Sequence, residues 1–124
     1  NGIEYGMMGA IAEGMHAINE SPFQNNIKTI AKVYAHGSII QSRLMDWLMD
    51  IYAKSDYLSA FTGEVPVGET ESEMEKLEKI SEMPILNTAR IMRIKTRTNP
   101  NYQGKIITAL RNKFGGHAPV KTKP

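Results

Sequence analysis

Apolar residues recur every three or four positions through most of this chain, which is the period of one face of an α-helix. The first such stripe consists of Ile3, Met7, Ile11, Met15 and Ile18. No stretch of useful length alternates with period two, so no strand is predicted. The pattern therefore predicts an all-α helical bundle, in a chain whose 124 residues are the usual size of one domain.

Glycine, serine and proline divide the first half of the pattern into helices. The first helix is expected to end near 19–22, where Ser21-Pro22 breaks it. A second helical stretch is expected over about 24–54, with Ile39 and Ile40 on its apolar side. Gly37-Ser38 interrupts this stretch and predicts a kink or two abutting helices.

The second half is divided in the same way. Glycine and proline predict a loop over about 56–70. A short acidic helix over 71–80 follows, with Thr70 as its N-cap and Glu73 at the spacing of a capping box. Two more helices are expected, one from Pro84 to a break at 99–101 and one over 102–114, and residues 118–124 are expected to form a mobile tail.

Gly6, Gly9 and Gly14 lie inside the first helix, where each weakens an isolated helix by roughly 1 kcal/mol relative to alanine. Small residues are tolerated where another backbone packs closely. The first helix is therefore expected to be central in the fold.

Charge is distributed unevenly along the chain. Residues 1–89 hold 6 basic and 13 acidic side chains, whereas residues 90–124 hold 9 basic and no acidic ones. A basic end suggests an anionic partner, such as a phosphorylated small molecule, nucleic acid or an acidic surface. The alternative is that the basic residues 90–124 neutralise the acidic residues 1–89 of the same chain or of a neighbouring chain.

The composition also bears on location. No apolar run approaches the roughly 20 residues that span a membrane, so no membrane association is expected. The first residues carry no signal-peptide pattern, and the chain has no cysteine. A cytoplasmic location is therefore predicted.

Two groups of residues are candidates for chemistry. Asn1, Glu4 and Tyr5 share one face of the first helix, where a carboxylate beside a carboxamide could hold a polar substrate and move protons. The second group is basic and lies late in the chain, and guanidinium groups suit phosphate and carboxylate ligands; it comprises Arg93, Lys95, Arg97, Arg111 and His117. Taken alone, both groups are also consistent with charges that favour helix ends without any ligand.

Three sequence segments, two of which contain some of these candidate residues, resemble one protein family. Residues 1–14, beginning Asn-Gly-Ile-Glu-Tyr-Gly-Met-Met, resemble the interdomain helix of the 6-phosphogluconate dehydrogenases. Residues 36–40, with Ser42 and Leu44, resemble a buried helix of that family. Residues 111–118, Arg-Asn-Lys-Phe-Gly-Gly-His-Ala, are similar to the C-terminal signature of its shorter members.

The resemblance implies an oxidoreductase of the pentose phosphate pathway or of gluconate utilisation. In this family NAD or NADP takes a hydride from C3 of 6-phosphogluconate, carbon dioxide is lost, and the enediol is protonated to give ribulose 5-phosphate. Glu4 matches the general acid, and Asn1 matches a residue that contacts substrate and nicotinamide. Tyr5 and Arg93 match residues at the substrate phosphate.

Arg111 and His117 match a pair that reaches the substrate of the partner subunit, which implies a homodimer with shared active sites. Residues 1–124 would then form the C-terminal helical domain for substrate binding and dimerisation, inactive as an isolated fragment. No metal is expected.

The chain departs from the family pattern in several ways. The family's lysine base would lie upstream, and no Gly-rich dinucleotide fingerprint is present, so NAD and NADP stay open as the cofactor. Thr70 and Glu71 stand where short members often carry a basic and an aromatic residue, which predicts a lost phosphate contact and leaves a relative of 6-phosphogluconate open as the substrate. These departures support an alternative, a non-catalytic helical dimerisation or interaction module. Nucleic-acid binding through the basic end is disfavoured, because aromatic residues are few and no recognised motif is present.

Overall fold

The computed structural model of the chain describes residues 1–115, and all regular structure in that range is helical. The predicted all-α class is confirmed. The elements are α1 (Gly2–Glu20), α2 (Ile27–Ala35), α3 (Arg43–Ala53), a short 3-10 helix (Tyr57–Ala60), α4 (Glu69–Glu78), α5 (Pro84–Thr96) and α6 (Tyr102–Gly115). The tail predicted over 118–124 lies outside the described residues. Within the described part of the chain, no helix combines the length and apolar character needed to cross a membrane.

Helix α1 is central, as predicted, because it packs against α2, α4, α5 and α6. Two of its glycines allow α5 to approach closely. A Cβ atom on Gly6 would lie 2.8 Å from Cδ2 of Leu86, and one on Gly9 would lie 3.4 Å from Cβ of Ala89. Gly14 has open space around it and makes no such contact.

The main core joins α1, α2, α3 and α6, and a smaller cluster lies between α1, α4 and α5. Burial of these apolar side chains is the main force that holds the helices together. The largest fully buried apolar side chains of the main core are Met8, Leu48, Ile51, Val65, Ile106, Ile107 and Leu110. The smaller cluster consists of Tyr5, Met74 and Ala89.

The stretch predicted as helix over 24–54 is divided more completely than expected. Gly37 has a φ of +79°, a conformation that ends α2, and the Ser42 side chain caps α3 by accepting a hydrogen bond from the Met45 backbone N–H at 3.2 Å. Ile39 and Ile40 lie in the turn between the two helices and are exposed. Their predicted place in a buried helix is therefore wrong.

The predicted capping box of the acidic helix is also wrong. Helix α4 begins at Glu69, and its N-cap is Gly68 in an extended conformation, rather than Thr70. The helix starts earlier than predicted, and Thr70 lies within its first turn. The Glu71 side chain is buried in the same turn, where it pairs with Arg97, the C-cap residue of α5.

The loop before α4 is anchored to two different helices. The Val65 backbone N–H donates to the Thr96 hydroxyl at 2.9 Å, and the Val65 carbonyl accepts from Nε of Arg97 at 3.1 Å. The next carbonyl, that of Pro66, accepts from Nη1 of Arg111 at 2.9 Å. Helices α5 and α6 thus fix the path of this loop.

The start of the same loop packs against the first turn of α6. Gly63 has a φ of +94°, and a Cβ atom there would collide with the backbone of Asn101. A Cβ atom on Gly104 would collide with the carbonyl oxygen of Gly63. Both positions therefore require glycine, one for its backbone conformation and both for the close approach.

Candidate functional site

A cavity of about 490 Å³ opens where the starts of α1 and α4 meet α5 and the end of α6. It brings together five of the six predicted site residues, and the sixth, His117, lies outside the described residues. The lining residues are Asn1, Glu4, Tyr5, Val67, Gly68, Glu69, Thr70, Arg93, Arg111 and Phe114.

The first turn of α1 supplies one wall of the cavity. Asn1 precedes the helix and is exposed, Glu4 is half-buried, and Tyr5 is buried. The helical spacing of three and four residues places all three side chains on the cavity side. The Asn1 amide, the Glu4 carboxyl group and the Tyr5 ring therefore line one side of the cavity.

Arg93 forms the floor of the cavity, and only 3% of its surface is exposed. Its guanidinium carbon lies 3.4 Å from the centre of the Tyr5 ring, and Nη2 donates to Sδ of Met8 at 3.6 Å. Among residues 1–115, no carboxylate forms a salt bridge with it. Burial lowers the pKa of Arg93 to about 10, and the nearby Tyr5 and Glu4 partly oppose that shift.

Arg111 contributes a second buried guanidinium. It is 7% exposed, it binds the Pro66 carbonyl, and within the described range it has no carboxylate in a salt bridge. Burial is the main cause of its lowered pKa. The resemblance implies that this residue serves the partner subunit, whereas the structure places it in the cavity of its own chain, close enough to Arg93 to lower that residue's pKa.

The basic cluster predicted late in α5 does not act as a unit. Lys95 is exposed and does not line the cavity. Nη2 of Arg97 donates to both carboxylate oxygens of Glu71, at 2.9 and 3.0 Å. Of the three residues, only Arg93 faces the cavity.

The sequence did not predict the part of the cavity wall formed by residues 67–69 and by Phe114. Gly68 is important there, because a Cβ atom on it would lie 3.2 Å from the Tyr5 hydroxyl and 3.4 Å from Nη2 of Arg111. The sequence showed it only as a helix breaker. Of the two positions noted as departures from the family, Thr70 lines the cavity and Glu71 does not.

The arrangement suits an anionic ligand. Burying a cation without a carboxylate partner is costly, and a bound anion would offset that cost. Two guanidinium groups can each donate several hydrogen bonds to phosphate or carboxylate oxygens. Glu4 stands beside them, within the same cavity, as a group that can transfer a proton.

Comparison with known proteins extends the resemblance seen in the sequence. A Bacillus subtilis protein named "Putative 6-phosphogluconate dehydrogenase YqeC" is 38% identical to this chain over 123 residues, which cover 98% of the chain and 41% of that protein. An NAD(+)-dependent, decarboxylating 6-phosphogluconate dehydrogenase of Haloferax volcanii is 26% identical over 121 residues, covering 94% of the chain and 40% of that protein.

In sequence, nearly the whole of this chain is similar to part of these proteins named 6-phosphogluconate dehydrogenase. The chain spans about two fifths of the length of these curated relatives. The 6-phosphogluconate dehydrogenase match covers nearly the whole chain, and hence the four helices around the cavity. A scan against protein-family models found no match.

Proposed function

We propose that the cavity binds a phosphorylated sugar acid, and that the whole protein oxidatively decarboxylates 6-phosphogluconate to ribulose 5-phosphate with NAD or NADP. One observation carries this proposal: Arg93 and Arg111 are buried, lack carboxylate partners within residues 1–115, and face a cavity that also holds Glu4. The names of the two relatives support the same reaction.

Each predicted site residue that lines the cavity has a proposed role. Arg93 and Arg111 bind the anionic groups of the substrate, and the Tyr5 hydroxyl contributes a further hydrogen bond. Asn1, exposed at the cavity mouth, is the one described residue proposed to reach the nicotinamide. A bound nicotinamide cofactor would supply the acceptor for the hydride that the substrate loses.

Glu4 is proposed as the general acid. Loss of carbon dioxide from the 3-keto acid leaves an enediol, and the protonated carboxyl group of Glu4 gives its proton to the enediol carbon that carried the lost group. The hydroxyl on the neighbouring carbon releases its proton to solvent as the ketone forms. The half-buried position of Glu4 at the start of α1 lets it meet a ligand held by the arginines. The carboxylate formed then takes up a proton from solvent.

The proposal also includes a homodimer. Because Arg111 already lines the cavity of its own chain, we assign to His117 the contact with the substrate of the partner subunit. Self-association alone, without catalysis, is the second candidate function. It is favoured by an apolar groove of about 450 Å³ between α1 and residues 39–42, whose wall includes Met7, Ile39 and Ile40.

The test uses the full-length protein, 6-phosphogluconate and each nicotinamide cofactor, with reduction followed by absorbance. Glu4→Gln should lower kcat by roughly 10²–10⁴-fold with little change in KM, the range typical of general acid–base catalysis. Glu13→Gln is the matched control, since Glu13 is exposed on the same helix outside this cavity. Unchanged turnover in Glu4→Gln would rule out its role as the acid, and a native protein that reduces neither cofactor would leave self-association as the function.

A further inference from the structure

Arg97 and Glu71 form a partly buried ion pair next to the cavity. The Glu71 side chain is 8% exposed and that of Arg97 is 24% exposed. Neither residue lines the cavity, but Arg97 and Arg111 bind consecutive carbonyls of the same loop, those of Val65 and Pro66. The ion pair and the anion-binding guanidinium of Arg111 are thus neighbours across one peptide unit.

The charges of this pair act on the cavity. The Glu71 carboxylate raises the pKa of Arg93 and of Arg111, whereas the Arg97 guanidinium lowers the pKa of Arg111. Because the pair is largely shielded from water, its fields are weakly screened. As long as both partners are present, their opposite charges largely cancel at the cavity.

We propose that Glu71 determines which anion charge the cavity prefers, because it holds Arg97 in an ion pair and so cancels a third positive charge beside the site. This inference rests on the proposed function, since the cavity must be the anion site. Without the Glu71 charge, Arg97 would add one uncompensated cation next to Arg111. Without the Arg97 charge, Glu71 would add one uncompensated anion.

The two single substitutions should therefore have opposite effects. Glu71→Gln is expected to tighten the binding of a dianion by roughly three- to tenfold, and Arg97→Gln to weaken it by a similar factor. A monoanion should respond by about the square root of each factor, because the Coulomb energy scales with charge. The double variant should bind both anions about as well as the native protein.

A purely structural role for the pair gives a different result. If the ion pair served only to hold the loop, breaking it from either side would displace Pro66 and Arg111, and both single variants would lose affinity for every anion. The sign of the Glu71→Gln effect, together with its dependence on ligand charge, separates the two roles.

The experiment is calorimetric titration of the full-length protein at about pH 8 with methyl phosphate, a dianion there because its second pKa is near 6, and with methanesulfonate, a monoanion. Thermal unfolding shows which variants fold. If Glu71→Gln alone does not fold, comparing Arg97→Gln with the double variant measures the same charge change.

Opposite effects of the two charge changes, larger for methyl phosphate, support the inference. Effects in the same direction overturn it while leaving the proposed function in place. Arg93→Gln is the control for the site itself. If methyl phosphate does not bind the native protein, or binds Arg93→Gln equally well, the cavity is not the anion site, and both the proposed function and this inference fail.

Discussion

The central carbon of the Arg93 guanidinium lies 3.4 Å from the centre of the Tyr5 ring, and both side chains are buried. A cation over an aromatic face is stabilised by about 2 kcal/mol or more when water is excluded. Tyr5 therefore provides part of the stabilisation that a carboxylate partner would otherwise give, while Arg93 still lines the cavity.

This contact predicts different outcomes for two substitutions of Tyr5. Tyr5→Phe keeps the ring beneath Arg93 and should leave the free energy of unfolding within about 1 kcal/mol of native, while methyl phosphate affinity falls because the hydroxyl is gone. Tyr5→Leu removes the ring and should cost about 1–3 kcal/mol. Chemical denaturation and calorimetry check both; equal stability of the two variants would contradict a stabilising role for the stacked ring.

Arg93→Met should separate binding from stability. Because burial lowers the pKa of Arg93 to about 10, the group is protonated at pH 7 and the folded state bears the full free-energy cost of burying the charge. That cost is relieved only as the pH rises above about 10. Its replacement should raise the free energy of unfolding at pH 7 by about 1–2 kcal/mol and abolish methyl phosphate binding.

Lys95→Met is the control for that variant, because Lys95 is exposed on the same helix and the charge change is identical. It should leave both quantities nearly unchanged. Marked destabilisation by Arg93→Met would mean that the guanidinium is chiefly a packing element.

Gly68→Ala should fill the gap between Tyr5 and Arg111 without unfolding the protein. The backbone at this position is extended, with φ −115° and ψ 160°, so an alanine introduces no conformational strain. Stability should change by about 1 kcal/mol or less, whereas methyl phosphate affinity should fall roughly tenfold as the Cβ atom enters the cavity. Native affinity in this variant would show that the ligand does not approach this wall.

Gly104→Ala and Gly14→Ala form a matched pair of helical glycine substitutions. At Gly104 the new methyl group collides with the Gly63 carbonyl, so a loss of more than about 3 kcal/mol is expected. At Gly14 the space is open, and the higher helix propensity of alanine should stabilise by up to about 1 kcal/mol. Thermal unfolding of both variants tests the pair, and equal effects would contradict the close packing of α6 on the loop.

Much of the fold could be predicted from the sequence because its signals are local. Pro84 and the break at 99–101 mark helix ends through backbone chemistry, and helical spacing alone put Glu4 and Tyr5 on one face. Exposure of Ile39 could not be predicted in this way. An apolar residue in a turn has the same identity as one in a core, and only the chain direction set by Gly37 separates them.

The contacts of the charged side chains were harder to predict from the sequence than the positions of the helices. Arg93 and Arg97 are both arginines and lie four positions apart, the first in the last turn of α5 and the second at its C-cap. Arg93 nevertheless faces the cavity, whereas Arg97 binds Glu71. That difference depends on α4, which meets α5 only in the folded state. The convergence of Gly68 with Tyr5 and Arg111 is tertiary for the same reason.

The loop from Gly63 to Gly68 meets fixed hydrogen-bond partners at successive positions. The Val65 N–H donates to the Thr96 hydroxyl, and the carbonyls of Val65 and Pro66 accept from Arg97 and Arg111. The length of this loop is therefore as strictly constrained as its composition. One residue inserted before Val65 would carry each carbonyl past its donor, free the Arg111 side chain and remove the cavity wall, although every cavity residue would still be present in the sequence. In this protein the count of residues between two glycines is itself part of the binding site.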